Sequence, residues 1–251
     1  MSLSHVDSKV IVNVADLSPR APKKALNQIL GVLAADPSVE AVYIGGSVAR
    51  GDCDEVSDID LWIEGKDWAP ESIGGLLLTG QRFQIGGFPF LHGVALDGTI
   101  IDVLYGGQVA WDGYLRLDPP SPTPLDPAPI PPFTLLDEFW LTSLKHRKAL
   151  FRGLDPILTI GLQHDRGYLL RAWALHATGV DPGPQAFNFF SLRDLFRDYV
   201  DTRCQQLLGL PLRDRGEIVY AVHTYRDEMS RLFPNPTPLE SVVRSLPLFA
   251  L

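Results

Sequence analysis

The chain has 251 residues, is 45% hydrophobic and 21% charged, and carries a net charge of -8. That length suits one large domain or two modest ones, and no apolar run approaches the ~18–20 residues needed to cross a bilayer. The acidic balance and the lack of any basic run argue against a protein that grips a nucleic-acid backbone.

Read in chain order, Lys23 to Ala35 is the first clear element. Leu26, Ile29, Leu30 and Leu33 fall at helical spacing, Pro22 suits a helix start, and Asp36-Pro37 ends the run. Val39 to Ile44 is a short apolar run suited to a buried strand, broken by Gly45-Gly46-Ser47. Asp58 to Ile63 opens with strict alternation, as a strand does. Phe90 to Leu96 and Thr99 to Tyr105 flank Asp97-Gly98, a hairpin signal.

Asp118 to Pro132 then places eight prolines in fifteen residues. Proline cannot donate to a ladder and stiffens the chain, which predicts an extended linker over 119–132. Beyond it, Thr134 to Arg152, Asp155 to Thr178, Ser191 to Leu208 and Arg213 to Leu232 are each long enough for several helical turns, and four such helices suggest a bundle. The expected fold class is α+β. A mixed-sheet domain covers 1–118 and an all-helical bundle covers 133–251.

The chemistry concentrates in Tyr43 to Ile63, YIGGSVARGDCDEVSDIDLWI. Alternation on a strand points Asp58 and Asp60 to one face and Ile59, Leu61 and Ile63 to the core. Two acids side by side repel unless a cation sits between them, and hard oxygen donors suit magnesium. Glycines let a backbone approach a phosphate closely, and successive N–H groups at Gly46 and Ser47 form an anion nest, with Arg50 in reach. Asp102 is the one charge in the apolar run Thr99 to Tyr105, so it is the expected third carboxylate. Asp97, before Gly98, reads as a turn residue.

Gly46-Ser47, then Ser57-Asp58-Ile59-Asp60, then a strand-borne Asp102, resembles the polymerase-beta-type nucleotidyltransferase superfamily, and within it the small bacterial aminoglycoside and lincosamide adenylyltransferases. The resemblance covers roughly residues 25–105. It implies two Mg2+ ions held by Asp58, Asp60 and Asp102, with ATP or another nucleoside triphosphate as co-substrate. Gly46, Ser47, Arg50 and Ser57 would meet the phosphates. It further implies transfer of a nucleoside monophosphate, AMP foremost, to a hydroxyl of a small acceptor, antibiotic-like molecules among the candidates, seated between two domains, with release of pyrophosphate. In some relatives the first helix of the helical domain carries a glutamate base and a phosphate-binding lysine. Here those roles would fall to Glu138 and to Lys145 or Lys148, with Asp102 the rival base. A protein acceptor, as in antitoxin-type members, and a nucleotide-binding module without turnover are the alternatives.

The remaining features read as structural. Cys53 and Cys204 lack metal-ligand spacing and suit a reduced, cytoplasmic protein, and the N-terminus lacks the basic and apolar regions of a secretory signal. His5, His92, His146, His164, His176 and His223 show no zinc spacing and are expected as ordinary packing or surface residues. Trp62 shares the face of the acids and is expected to pack. Phe187, Phe189 and Phe190 are expected in a core. The apolar segment Leu246 to Leu251 offers a docking face for a domain or for a second subunit of a homodimer.

Overall fold

The computed structural model describes residues 11–109, 112–126, 128–183, 193, 194 and 197–248. His5, the Phe187, Phe189 and Phe190 cluster, part of the expected 191–208 helix and the last three residues of the apolar tail lie outside them. The chain divides into two compact units, Met1–Phe133 and Thr134–Leu251.

The first unit is built on a mixed sheet. Its strands among the described residues are β1 (Ile11–Val12), β2 (Ala41–Ile44), β3 (Ile59–Glu64), β4 (Leu77–Ile85), β5 (Phe88–Ala95), β6 (Ile100–Tyr105) and β7 (Leu115–Leu117), in the order β1-β7-β2-β3-β6-β5-β4. The helices are α1 (Lys23–Ala35) and the short α2 (Gly46–Arg50). One sheet face buries Ile59, Leu61, Ile63, Ile101 and Val103 in a common core with Leu26, Ile29, Leu30 and Leu33 of α1. Period two on the strands and period 3.6 on the helix thus converge on one apolar layer.

Two features depart from the sequence expectation. β4 was not expected: LLTGQRFQI lacks clean alternation, because its second half lies exposed on the sheet edge. It joins β5 through Gly86-Gly87, both with positive φ, the conformation a tight hairpin needs. The proline-rich segment is extended, but it is packed rather than free. The Thr123 N–H donates to the Gly31 carbonyl of α1 at 2.8 Å, and Leu125 and Ile130 pack against the main core. The Ala128 carbonyl lies where a Cβ on Gly74 would come within 1.8 Å. Prolines keep the segment out of the sheet, but its apolar residues still gain by burial. The first unit therefore runs to Phe133 rather than ending near residue 118.

The second unit comprises α3 (Leu135–Phe151), α4 (Asp155–Thr178), α5 (Thr202–Leu208), α6 (Arg215–Leu232) and α7 (Pro238–Ser245) among the described residues. Their starts are written in cap residues. Thr134 and Asp137 form a reciprocal capping box on α3, Asp214 caps α6, and Thr237 caps α7 ahead of Pro238. Gly179, at φ +74°, ends α4. α4 packs against α3 and α6, and α3 against α7, around Phe139, Trp140, Leu162, Leu169, Tyr225 and Met229. Cys53 and Cys204 are both free and buried. No helix among the described residues is long and apolar enough to cross a membrane.

The packed proline segment makes Gly74 a test position. Gly74→Ala forces a methyl onto the Ala128 carbonyl and is expected to cost ~1–3 kcal/mol by overpacking, read as a lower urea midpoint. An unchanged midpoint would mean the segment does not pack there.

Candidate functional site

β3 and β6 are neighbours and run parallel, with Asp60 opposite Asp102. β5 pairs antiparallel with the other edge of β6, with His92 opposite Asp102. Residues in register share a face, so Asp60, Asp102 and His92 form one row across three adjacent strands. Neighbouring strands lie about 4.8 Å apart, which holds two carboxylates side by side where like charges repel. Asp58 lies in the loop one residue before β3, rather than within the strand.

Gly46 meets this row from β2. The Gly45 N–H donates to the Asp60 carbonyl at 2.8 Å, tying the end of β2 to β3. Gly46 follows with φ +59°, and a Cβ there would come within 1.8 Å of Asp60 Oδ2. A side chain at 46 would occupy the place of the acid, so glycine is required both for backbone conformation and for space. Ser47 is the second residue of α2, and Gly51 closes the helix at φ +78°.

The other expected phosphate contacts have visible local roles. Arg50 is exposed and pairs with Asp52 at 3.3 Å. Ser57 is buried; its hydroxyl accepts from the Asp54 N–H at 2.9 Å and donates to Asp54 Oδ1 at 2.8 Å. It shapes the turn that delivers Asp58. Trp62 is fully buried, edge-on to Phe88 at 4.8 Å and to Tyr114 at 6.0 Å, so it packs, as expected. Asp97 accepts from the Thr99 N–H at 3.0 Å as a turn residue, also as expected.

Two neighbours of the acids were not expected. His92 is 8% exposed and its Nδ1 donates to Asp102 Oδ1, while Nε2 is buried without a hydrogen-bond partner among the described residues. Tyr114 packs against Gly45, where a Cβ would come within 2.6 Å of its ring. Burial, followed by the negative charges of Asp60 and Asp102, pushes its phenol up to about 12, so the side chain lies in the field of both acids. His92 was readable only from the hairpin register. A two-residue turn at Asp97-Gly98 sets it opposite Val103, whereas the observed loop closes with Ala95 N–H to the Thr99 carbonyl at 2.9 Å. That extra residue brings His92 opposite Asp102 instead.

The residue types fit a hard cation: oxygen donors from Asp58 and Asp60, a second acid in register, and a backbone cradle that a Cβ would fill. Among the described residues, however, no three such side chains converge as a metal site. Asp102 is instead hydrogen-bonded to His92.

Glu138, Lys145 and Lys148 all belong to α3 in the second unit. Glu138 is not a solvated helix acid: its Oε2 accepts from Arg171 Nη1 at 2.6 Å. Arg171 is 2% exposed and also grips Asp181, at 3.0 and 2.7 Å. Lys145 is exposed and Lys148 partly buried.

Residues 26–106 match the family model of the nucleotidyltransferase domain, a span that holds Gly46, Asp58, Asp60, His92 and Asp102. A search of curated proteins finds no match. Among solved structures, the chain is similar to an aminoglycoside 6-adenyltransferase from Bacillus subtilis at 14% identity and a TM-score of 0.31, covering 88% of this chain and 95% of that one.

Two glycines separate backbone strain from site geometry. Gly46→Ala and Gly51→Ala each place a side chain at positive φ, at about 1–2 kcal/mol, but nothing lies within 4 Å of a Cβ at Gly51. Both variants should unfold at lower urea than the parent. Only Gly46→Ala should lose affinity in a magnesium-nucleotide titration; equal affinity in the two variants would remove Gly46 from the site.

Proposed function

We propose that this chain, whose residues 26–106 match the nucleotidyltransferase domain model, transfers a nucleoside monophosphate from a nucleoside triphosphate, ATP foremost, to a hydroxyl of a small molecule. The observation that carries the proposal is the β3–β6 register, which sets Asp60 beside Asp102 with the Gly46 backbone against the Asp60 carboxylate. Asp58, Asp60 and Asp102 would hold Mg2+. The ions would neutralise the triphosphate and stabilise the attacking and leaving oxygens of an in-line displacement.

The chain's own residues then divide the work. The Gly46 and Ser47 backbone receives phosphate oxygens at close range, with Arg50 free to leave its exposed partner Asp52 for a stronger one. The acceptor oxygen forms a bond to the α-phosphorus, and the bond to the bridging oxygen of the β-phosphate breaks, releasing pyrophosphate. The acceptor proton passes to a carboxylate, Asp102 or Glu138, each of which already accepts a hydrogen bond, from His92 and from Arg171 respectively. His92 is a positioning residue: its hydrogen bond fixes the rotamer of Asp102. The net charge of -8 favours a small hydroxylated acceptor over a nucleic acid, and antibiotic-like molecules head the panel.

The test is pyrophosphate release from each nucleoside triphosphate with Mg2+ and a panel of aminoglycosides, lincosamides and proteins. Asp58→Asn and Asp60→Asn should each lower turnover by more than ~100-fold, since even outer-shell partners of metal ligands are worth 10–100-fold. Turnover that survives both substitutions removes the metal role. Nucleotide binding without release on any acceptor would leave a binding module.

His92→Phe keeps an aromatic ring, somewhat larger, and removes the hydrogen bond. It should lower kcat by about 10–100-fold and weaken Mn2+ binding in the absence of nucleotide. An unchanged Mn2+ affinity and kcat would reduce His92 to packing.

A further inference from the structure

The helical unit buries a positive charge that makes no ion pair among the described residues. Arg226, on α6, is 6% exposed. Its Nε donates to Ser143 Oγ at 3.3 Å and its Nη2 to the Ser143 carbonyl at 3.0 Å, both neutral acceptors on α3. Nη1 makes no hydrogen bond among the described residues.

The polar groups around it offer only indirect compensation. Asp165 of α4 is wholly buried, and burial pushes its pKa well up, towards the neutral acid. His146 of α3, with Nδ1 3.4 Å from Asp165 Oδ2, is pushed down to about 3 by burial and then by Arg226, and so stays neutral. Asp165 is the largest attraction on Arg226, Arg244 and Arg147 add repulsion, and the exposed Asp227 adds a smaller attraction. Among the described residues the direct hydrogen-bond partners of this buried guanidinium are nevertheless neutral, and a buried charge is best stabilised by an opposite charge in direct contact.

Arg226 also lines a cavity of about 370 Å3 within the second unit. Arg244 and His223 contribute to the wall, Asp227 is the acid in the lining, and the segment Leu246 to Leu248 supplies an apolar side. Arg147 Nε donates to the Pro247 carbonyl at 2.9 Å and holds that segment in place.

We propose that this cavity binds the phosphate group of a small molecule, with Arg226 at its base and Arg244 and His223 at its rim. A carboxylate is satisfied by one guanidinium fork, whereas two guanidiniums, with an imidazole beside them, offer donors for the several oxygens of a phosphate, which would compete with Asp227 for Arg244, 3.5 Å away. The volume is that of a small-ligand site, larger than the anion needs, and the apolar wall suits an organic portion. The cavity is lined by residues of the second unit and the Asp60 row belongs to the first, so the proposal does not depend on the activity proposed above.

The test is calorimetric titration of the full chain with inorganic phosphate, glycerol phosphate and acetate at constant ionic strength. Phosphate or its monoester should bind, acetate should bind at least tenfold more weakly, and Arg244→Gln should weaken phosphate binding about tenfold. Binding of the monoester alone would assign the ligand to the esters and also supports the site. Gly46→Ala should leave this binding in place, which separates it from the phosphate cradle of the first unit. Arg226→Gln removes a buried group and risks the fold, so Arg244, with a side chain 45% exposed, carries the test. The site is overturned by no binding above the ionic-strength control, by equal affinity in Arg244→Gln, by acetate binding as tightly as phosphate, or by loss of binding in Gly46→Ala.

Discussion

The site in the first unit depends on the pairing of β3 with β6. A parallel pair joined directly needs a long crossover, and here the β4–β5 hairpin occupies the intervening chain and then lies beside β6. The topology therefore does two things at once. It sets Asp60 against Asp102, and it brings His92 to the far side of Asp102. A slip of one residue in either ladder would turn these side chains away from one another and send apolar ones out. The apolar residues between them, Ile59, Leu61, Ile101 and Val103, hold the register because they belong to the core with α1. Burial on one face thus stabilises like charges on the other.

Glycine completes the arrangement where side chains cannot. At Gly46 the backbone occupies space beside the Asp60 carboxylate, and at Gly45 it lies under the Tyr114 ring. At Gly31 and Gly74 it admits the proline-rich segment. These are close approaches, and each couples a local conformation to a distant part of the chain. The proline-rich segment illustrates the coupling. Its composition dictates extension, but its few apolar residues and the glycines facing it dictate where it lies.

Much of this was legible in the sequence, for physical reasons that also mark where legibility ended. α1, α3, α4 and α6 announce themselves by period and caps, and β2, β3, β5 and β6 by short apolar runs. The Gly46, Asp60 and Asp102 elements were readable because glycine before a helix and a lone acid in an apolar strand are each costly unless used. β4 was not readable, since an edge strand has no buried second half to impose alternation. β1 and β7 are too short to carry a period. His92 was hidden by one residue of loop length, and Glu138 by a partner, Arg171, thirty-three positions along the chain. Long-range pairing of this kind leaves no trace in local pattern.

Charge balance distinguishes structural clusters in the helical unit from the proposed ligand site. Glu228 is buried, yet it accepts from the Trp173 indole at 3.0 Å and from Arg231 and Arg203, whose side chains reach in from solvent. Arg171 is likewise buried and holds two carboxylates. Both clusters are closed, because each buried charge meets opposite charge, and such pairs break even or better only when every donor is met. Arg226 differs from both in that its acceptors are a hydroxyl and a carbonyl and the acid nearest in its field is pushed towards neutrality. An apolar residue in place of Arg226 would remove the desolvation cost, and a carboxylate in place of Ser143 would offset it with an ion pair. An anion bound in the cavity that Arg226 lines would supply the opposite charge from outside the chain.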